Sequence, residues 1–315
     1  MSIEITRPGK TSLIVESPVM PAAGMVGFGD RYKDLIKLEK LGALVTNPVT
    51  YQPWQPATGT RIVPLDAGVL VHTGLPNPGL SKVIAKHRAL WEALPIPVIV
   101  HIVATAPDHV RKCASRIDAE RAIEAMELGL PDDLSWKEVE GFVRGAANST
   151  EKPVLVRLPL HSALENALAA ADAGAGALVI AAPPRGTARD PLTGRLVSGR
   201  VYGPLVKPLA LRLVGQFAAR LETPIIGAGG IHSQQDARDY LEAGARAVQV
   251  DTVTWVQPKM LEYIARDLGG LVITRRAGAL GDEWHPGMGE TERKAREAAA
   301  GTPAEASTPP AEDNP

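Results

Sequence analysis

Cysteine and net charge are the two things this sequence has least of. Its 315 residues include one cysteine, Cys113, and its 34 Lys+Arg nearly balance 35 Asp+Glu, for a net charge of -1. A single thiol cannot form an intramolecular disulfide, a thiolate zinc site or an iron–sulfur cluster. The even charge balance, with no Lys/Arg-rich run, lacks the basic surface of nucleic-acid binders. We therefore expect no nucleic-acid partner, and the histidines show no metal-ligand spacing.

Long apolar stretches are also missing. No run approaches the roughly 20 residues that a helix needs to cross a bilayer, and the opening MSIEITRPGK lacks the apolar centre of a signal peptide. We therefore expect no membrane association and a cytoplasmic location. The 45% hydrophobic fraction is typical of globular proteins, which excludes a fully disordered chain.

Short apolar runs alternate with amphipathic stretches along most of the chain. The runs are rich in Val and Ile, are bounded by Gly, Pro or polar residues, and begin at Val19, Ala43, Pro97, Ala122, Pro153, Ala177, Pro224 and Ala247. They are typical of buried parallel strands. Helical patterns lie at 32–42, 81–94, 162–174, 208–221 and 233–244, and several end in Gly. Eight such units predict an α/β fold, a (β/α)8 TIM barrel. A doubly wound open sheet remains the alternative, although no GxGxxG follows an early strand.

The two ends of the chain have their own patterns. The opening IEITRPGKTSLIVESP predicts two short strands, an N-terminal β-hairpin closing the bottom of the barrel. Residues 287–315 are rich in Ala, Pro and Glu and have almost no large apolar side chains, which predicts a disordered C-terminal tail. The predicted barrel domain therefore spans 1–286.

A barrel carries its active site at the C-terminal ends of its strands. The apolar runs place His101, Glu127 and Arg157 at such ends, and they place IIGAGGIHS at the end of the seventh. Gly229 and Gly230 there permit close approach of a phosphate to backbone N–H groups, with Ser233 capping the next helix. The alternative is that GAGG is only a tight turn.

Several strings resemble the dihydroorotate dehydrogenase family. GAGGIHSQQDARDYLEAGARAVQV is similar to the last βαβ unit of these FMN-binding barrels, SPVMPAAG to their first strand and LGALVTNPVT to their second. AGVLVHTGLPNPG is similar to their "GMLN…GLQNPG" segment, and YGPLVKPLALRLV to "SGPAIKPIALRMV". The resemblance runs in order over roughly residues 15 to 257 and identifies the chain as a divergent member of that family.

The resemblance implies an FMN at the top of the barrel. The phosphate would lie on amides around Gly229, Gly230 and Thr252, and Arg157 stands where the family has a lysine near the flavin N1 and C2 carbonyl. A guanidinium can serve the same electrostatic role, although an internal ion pair is the alternative for Arg157. The implied cofactor-binding residues are Ala22, Ala23, Gly24, Thr46, Asn47, Arg157, Gly203, Gly229, Gly230, Asp251 and Thr252. Family members commonly pair as homodimers, which we expect here by analogy only.

The departures from the family concentrate on the substrate. Asn47 replaces a lysine, Asp251 replaces a glycine, and the loop after the fourth strand has no Cys or Ser before Asp132, where the family has its base. Positions where the family has asparagine, or an "NT" pair, hold Val71, His101, Gly129, Ala182 and Pro183. Since a site built to hydrogen-bond its substrate depends on those partners, we do not expect dihydroorotate to be the substrate.

Two further features could contribute to a site. His101 is the candidate general base, with a structural or flavin-contacting role as the alternative, and His72 has a weaker claim. The insertion at 184–203 could be a lid that brings arginines over an anionic small-molecule substrate, or else a solvated loop or partner surface. The remaining candidates have plain alternatives: Tyr51 and Trp54 as a pocket wall or loop packing, and Asp132 and Asp133 as caps of the next helix.

The sequence therefore supports a flavin-dependent oxidoreductase acting on a CH–CH group, with two alternatives. One is a non-catalytic barrel that binds FMN or another phosphorylated ligand, alone or as a subunit of a larger complex. The other is a phosphate-binding lyase or isomerase that uses no flavin.

Overall fold

Eight parallel strands form the centre of the computed structural model, which describes residues 2–8 and 11–277, with side chains described as far as 269. The strands are β1 Val19–Pro21, β2 Leu44–Val45, β3 Val98–Val103, β4 Ala125–Gly129, β5 Val154–Pro159, β6 Ala177–Ala182, β7 Ile225–Ala228 and β8 Ala247–Val250. The ladder runs β1-β8-β7-β6-β5-β4-β3-β2, and β1 and β2 meet to close the ring. The (β/α)8 barrel is confirmed, and each strand falls within or beside a predicted apolar run.

Helices cover the outside of the ring. They are α1 Leu80–Glu92, α2 Pro107–Asp118, α3 Trp136–Ala147, α4 Leu164–Asp172, α5 Lys207–Ala218, α6 Gln234–Glu242, α7 Val253–Val256 and α8 Met260–Ala277, with short 3-10 helices at Leu38–Lys40 and Pro204–Val206. Among the described residues no helix combines the length and apolar character needed to cross a membrane.

One helix prediction is wrong. The pattern at 32–42 forms only the 3-10 turn Leu38–Lys40. The segment follows Gly27 and Gly29 in left-handed backbone conformations and opens at Tyr32, which also has a positive φ of 59°. An α-helix cannot include residues with a positive φ. The apolar side chains at 36 and 38 therefore reach the core from a segment that is not α-helical.

The predicted N-terminal hairpin is confirmed and closes one end of the barrel. Ile3–Glu4 pairs antiparallel with Ile14–Val15. Buried side chains of this segment, such as Ile5 and Leu13, pack with inward-facing strand residues such as Ile99 in one apolar cluster. The bottom is thereby filled, and the polar ends of the strands lie at the opposite mouth. The tail predicted at 287–315, and with it the domain boundary at 286, lies outside the described residues.

The insertion at 184–203 is neither a free loop nor a helix. Arg185–Arg189 and Leu196–Tyr202 form a hairpin that continues into a second hairpin, Gly68–Val71 with Ile62–Leu65. We call these four antiparallel strands the lid sheet, since three of them line the cavity described below, at the barrel mouth.

Candidate active site

A cavity of about 770 Å³ lies between the barrel mouth and the lid sheet. Its floor is formed by strand ends, including Ala22 and Ala23 after β1 and Gly129 of β4. Its roof is formed by the lid sheet, including Val71, Leu196 and Tyr202. A site at the C-terminal ends of barrel strands is the usual position of chemistry in this fold, and the volume suits a small organic ligand.

The charged groups that line this cavity have one sign. The lining contains no Asp, Glu, Asn or Gln among the described residues, and its basic side chains are His72, His101, Arg157, Arg185, Arg195 and Arg200. Hydroxyl groups of Thr and Ser supply the other polar side-chain contacts, apart from Trp54 and Tyr202. Three of the four arginines are paired with carboxylates outside the lining, which reduces the positive potential that an anion in the cavity would meet.

Beneath the floor, a buried carboxylate organises three side chains from different strands. Glu127 of β4 has no exposed surface and its Oε1 lies 2.7 Å from His101 Nδ1 and 3.5 Å from Arg157 Nη1. Gln249 of β8 donates its amide to Glu127 Oε2 and accepts from Arg157 Nη1 at 3.1 Å. Each partner therefore compensates part of the cost of burying the others.

The carboxylate of Glu127 is held in its charged form. Burial raises its pKa, but the hydrogen bond and charge of His101, the charge of Arg157 and the amide of Gln249 outweigh burial and place the pKa below its ordinary value. An ionised carboxylate can only accept, so His101 Nδ1 donates to it, and Nε2 is the ring nitrogen that remains outside this contact.

The free edge of this imidazole lies against Gly129. A Cβ at residue 129 would come within 2.6 Å of His101 Nε2. An asparagine at residue 129 would therefore collide with His101, and the two departures from the family pattern depend on each other. Because both residues line the cavity, Nε2 is the atom that a ligand could meet.

Arg157 forms the internal ion pair that the sequence left as its alternative role, with Glu127, and it also lines the cavity. Its contact with a flavin stays a prediction. Its Nε and the side-chain oxygen of Asn47 are buried atoms without a hydrogen-bond partner. Such atoms are rare in folded proteins and indicate a missing partner.

The lid sheet is fastened to the barrel by Asp132, in the loop after β4. Asp132 Oδ2 accepts from Arg185 Nε at 2.6 Å, and Arg200 donates to both carboxylate oxygens at 2.6 and 2.7 Å. Burial raises the pKa of Asp132, but the hydrogen bonds from Arg200 and Arg185 hold it below its ordinary value. The expectation that Asp132 caps the next helix is wrong, because Ser135 caps α3 in a capping box with Glu138.

The residues expected to hold a phosphate form a second cluster outside the cavity lining. Gly230 packs against Gly203, and the backbone N–H groups of Gly230 and Thr252 both point at the side chain of Asp251. Ser233 caps α6, as predicted, by accepting from Asp236 N. Gly229 and Gly230 have positive φ values of 115° and 66°, which favour glycine.

The remaining predicted site residues lie behind or beside the cavity. Thr46 is fully buried, accepts from the backbone N–H of His101 and donates to the carbonyl of Asn47. Gly24 lies in the turn after β1, with a φ of 94°, and faces Pro48. The structure therefore brings Ala22, Ala23, His101 and Arg157 to one cavity, and Gly203, Gly229, Gly230, Asp251 and Thr252 to the neighbouring cluster.

The two aromatic residues considered as a pocket wall lie in different places. Trp54 lines the cavity, whereas Tyr51 is not part of its lining and packs against His109 of α2. Arg189 is also outside the lining, since it donates to the carbonyl of Gly194 at the hairpin turn. Among the residues that the structure describes, no group of His, Cys, Asp and Glu has the arrangement of a metal site.

Cys113, the single cysteine, is a core residue. It lies in α2, fully buried, and burial raises the pKa of its thiol to about 12. It does not belong to the loop after β4, where a family base would be, and is an inert core side chain.

Sequence reasoning missed Gln249 and the attachment made by Asp132. Gln249 carried a usable signal, because it is the one polar residue in the strand AVQV and the period of two points it into the barrel. Asp132 carried none, since its partners lie in an insertion more than fifty positions away.

The fold and the site together define a class: a (β/α)8 barrel with a cationic cavity at its mouth, a buried His–carboxylate pair and a cluster of backbone amides after β7 and β8. Comparison with known sequences narrows that class. The sequence model described as "Dihydroorotate dehydrogenase" matches residues 11–272. The chain belongs to the dihydroorotate dehydrogenase family, whose members are FMN-dependent oxidoreductases.

Curated relatives agree with this assignment. A protein of Trichlorobacter lovleyi named dihydroorotate dehydrogenase B (NAD(+)), catalytic subunit, is 34% identical over 285 residues, which cover 85% of this chain and 92% of that protein. Proteins of the same name from Pelobacter propionicus and Desulforudis audaxviator are 32% and 33% identical over 273 residues, covering 81% of this chain and 90% and 89% of theirs.

Proposed function

We propose that this protein is an FMN-dependent oxidoreductase that acts on a CH–CH bond of a small anionic substrate. The observation that carries the proposal is the cavity at the barrel mouth, whose basic side chains are four arginines and two histidines. An anion in that cavity would meet Arg195, from the turn of the lid-sheet hairpin, and Arg157 from the floor. Arg185 and Arg200 of the lid sheet also line it, and both already donate to Asp132. Arginine suits this task because its planar fork can hold a carboxylate by two hydrogen bonds.

The residues at the mouth suit the ring of a flavin. The unpaired Nε of Arg157 and side-chain oxygen of Asn47 are a donor and an acceptor without partners, as expected beside the polar edge of such a ring. Small side chains at Ala22 and Ala23 leave space over the first strand. A bound flavin would supply the two-electron acceptor. The residues expected to bind the flavin phosphate are less suitable. The amides of Gly230 and Thr252 donate to the side chain of Asp251, so a phosphate does not fit there in that arrangement.

His101 is the side chain best placed to move a proton. Glu127 orients its ring through Nδ1, so that Nε2 can accept a proton at the cavity floor, and the carboxylate stabilises the imidazolium that forms. As in the catalytic triads of hydrolases, a carboxylate orients a histidine that acts as the base. The nucleophile of those triads is not part of this arrangement. The lid sheet would exclude water from the same region.

We propose further that the substrate is not dihydroorotate. The lining offers no Asn or Gln side chain among the described residues, so the paired hydrogen bonds that a cyclic amide needs are missing. The relatives carry the dihydroorotate name, so dihydroorotate is the first compound to test.

The test begins with flavin uptake by the full chain. The oxidised flavoprotein is then mixed anaerobically with dihydroorotate and a panel of small saturated carboxylates, and the photoreduced flavoprotein with their unsaturated counterparts. Loss of flavin absorbance in the first series, or its return in the second, identifies a substrate. His101→Gln should slow that step by about 10²- to 10⁴-fold, with flavin content unchanged, whereas His109→Gln on α2 should not. Failure to take up either FMN or riboflavin would refute the flavin assignment, and an unaffected His101→Gln would refute the base.

One observation favours the non-catalytic alternative. The loop after β4 carries no Cys or Ser before Ser135, and the carboxylate of Asp132 is engaged by two arginines. A protein that takes up flavin but is reduced by no carboxylate of the panel would support a ligand-binding barrel, alone or as a subunit of a larger complex.

A further inference from the structure

Two backbone amides at the ends of neighbouring strands converge on one point. Gly230, after β7, directs its N–H toward the same group as Thr252, after β8. The position of Gly230 is fixed by close packing, since a Cβ there would lie 2.6 Å from Lys207 N and 2.8 Å from Gly203 O. Converging N–H groups after the seventh and eighth strands of a barrel are a ready-made anion site.

The anion at this point is part of the chain itself. Asp251 Oδ1 accepts from Thr252 N at 2.6 Å and Oδ2 accepts from Gly230 N at 3.2 Å, so each oxygen takes one amide. The Thr252 hydroxyl adds a longer contact of 3.3 Å to Oδ1. The residue is 2% exposed, and no salt bridge within 4 Å links Asp251 to a cation among the described residues.

A carboxylate and a phosphate cannot use these amides at the same time. Either the phosphate stays away, or Asp251 rotates out and gives up both hydrogen bonds while its carboxyl group remains beside the incoming anion. Burial raises the pKa of Asp251 and the two backbone hydrogen bonds oppose that rise, so these hydrogen bonds are also what favours its ionised form. Both the lost hydrogen bonds and the repulsion oppose the exchange. Rotation is further limited because Asp251 is almost fully buried.

We propose that Asp251 occupies the phosphate-binding amides as an internal substitute for phosphate, so that this chain gains little affinity from the 5′-phosphate of a flavin. The affinity for a flavin then comes from its ring and from the chain attached to the ring, and FMN and riboflavin bind with about equal affinity. The inference rests on the proposed flavin-binding function, and Asp251 acts as a specificity-determining residue at one end of that site.

The experiment compares three ligands on the full chain freed of flavin: FMN, riboflavin and inorganic phosphate. Flavin affinities come from fluorescence quenching, and phosphate binding from the shift in melting temperature. Asp251→Gly removes the carboxylate, and Asp251→Asn removes its charge at nearly constant size. Glu222→Gln is the matched control, because it removes one negative charge from an exposed position at the other end of the same βαβ unit.

For the wild-type protein and the control we expect affinities for FMN and riboflavin within about threefold of each other, and no stabilisation by phosphate. For Asp251→Gly we expect FMN to bind at least about tenfold more tightly than riboflavin, since two amides become available to a charged acceptor. Phosphate should then raise the melting temperature. Asp251→Asn should change in the same direction by less, and it decides the matter if the glycine variant does not fold.

Two outcomes would overturn the inference. The first is a wild-type protein that prefers FMN to riboflavin by about tenfold or more. The second is an Asp251→Gly protein that folds and gains neither FMN preference nor phosphate stabilisation. If the wild-type protein binds neither flavin, the proposed function fails, and the phosphate measurements alone decide the role of Asp251: stabilisation of the variants supports it, and no stabilisation overturns it.

Discussion

The buried Glu127 network should contribute more to stability than any surface ion pair of this chain. Glu127 is fully buried, and its loss leaves Arg157, whose side chain is 6% exposed, with only Gln249 and a 3.4 Å contact to the carbonyl of Ala181. Removing one partner of a buried charge pair costs about 3–5 kcal/mol. Glu127→Gln keeps the shape and loses the charge, so we expect its free energy of unfolding to fall by about 3 kcal/mol at neutral pH.

The control is an exposed pair on one helix. Glu140 and Arg144 of α3 are 2.5 Å apart, and their side chains are 36% and 54% exposed. Glu140→Gln should cost no more than about 0.5 kcal/mol. Adding Arg157→Met to Glu127→Gln should recover part of the loss, because the unpaired cation is then removed as well, which gives a coupling energy of about 1 kcal/mol or more.

The pH dependence of the free energy of unfolding provides a second test of the role of Glu127. The pKa of Glu127 is held below its ordinary value of 4.5, so the folded state favours the ionised form. Its contribution is therefore complete above pH 4.5 and is lost as the pH falls through the lower native pKa. Urea titrations from pH 7 to pH 3 should show the wild-type protein and Glu127→Gln converging at the acid end. A difference below about 1 kcal/mol at pH 7, or one that is constant with pH, would refute the argument.

Two smaller predictions concern the lid and the thiol. Asp132→Asn should loosen Arg185 and Arg200 and increase amide hydrogen exchange in the lid-sheet strands, whereas Asp133→Asn, whose carboxylate is 98% exposed, should not; equal exchange in both variants would contradict the attachment. Cys113 should not react with an aromatic disulfide reagent in the native protein and should titrate as one thiol in denaturant, since it is buried with its pKa raised to about 12; rapid native labelling would contradict its placement.

The strands could be predicted because each is a local pattern. Runs such as 97–103 and 153–159 combine branched apolar residues with a Pro boundary, and a buried parallel strand needs little else. The helix expected at 32–42 failed for a local reason of another kind, since its apolar spacing was overridden by backbone conformations that an α-helix does not permit.

The candidate site was predictable only where a residue belongs to a strand. His101 and Arg157 followed from strand ends, and the cavity contains both. The pairing of residues 69–71 with the insertion at 184–203 could not be inferred, because no local pattern indicates which distant strand is a partner. The direction of the Asp251 side chain was also beyond the sequence, which shows only that a carboxylate stands where the family has glycine, and not that it turns toward the amides.

The lid sheet has a consequence for how the cavity comes into being. Its central pairing joins residues 69–71 to residues 200–202, on opposite sides of four barrel units. Closing so long a loop carries an entropic cost that the neighbouring barrel strands, which pair with the next segment along the chain, largely avoid. We expect the barrel to assemble first and the roof last, with the roof also the first part to open. The cavity would then be the latest and least durable product of folding, and a ligand that bridges roof and floor would stabilise it directly.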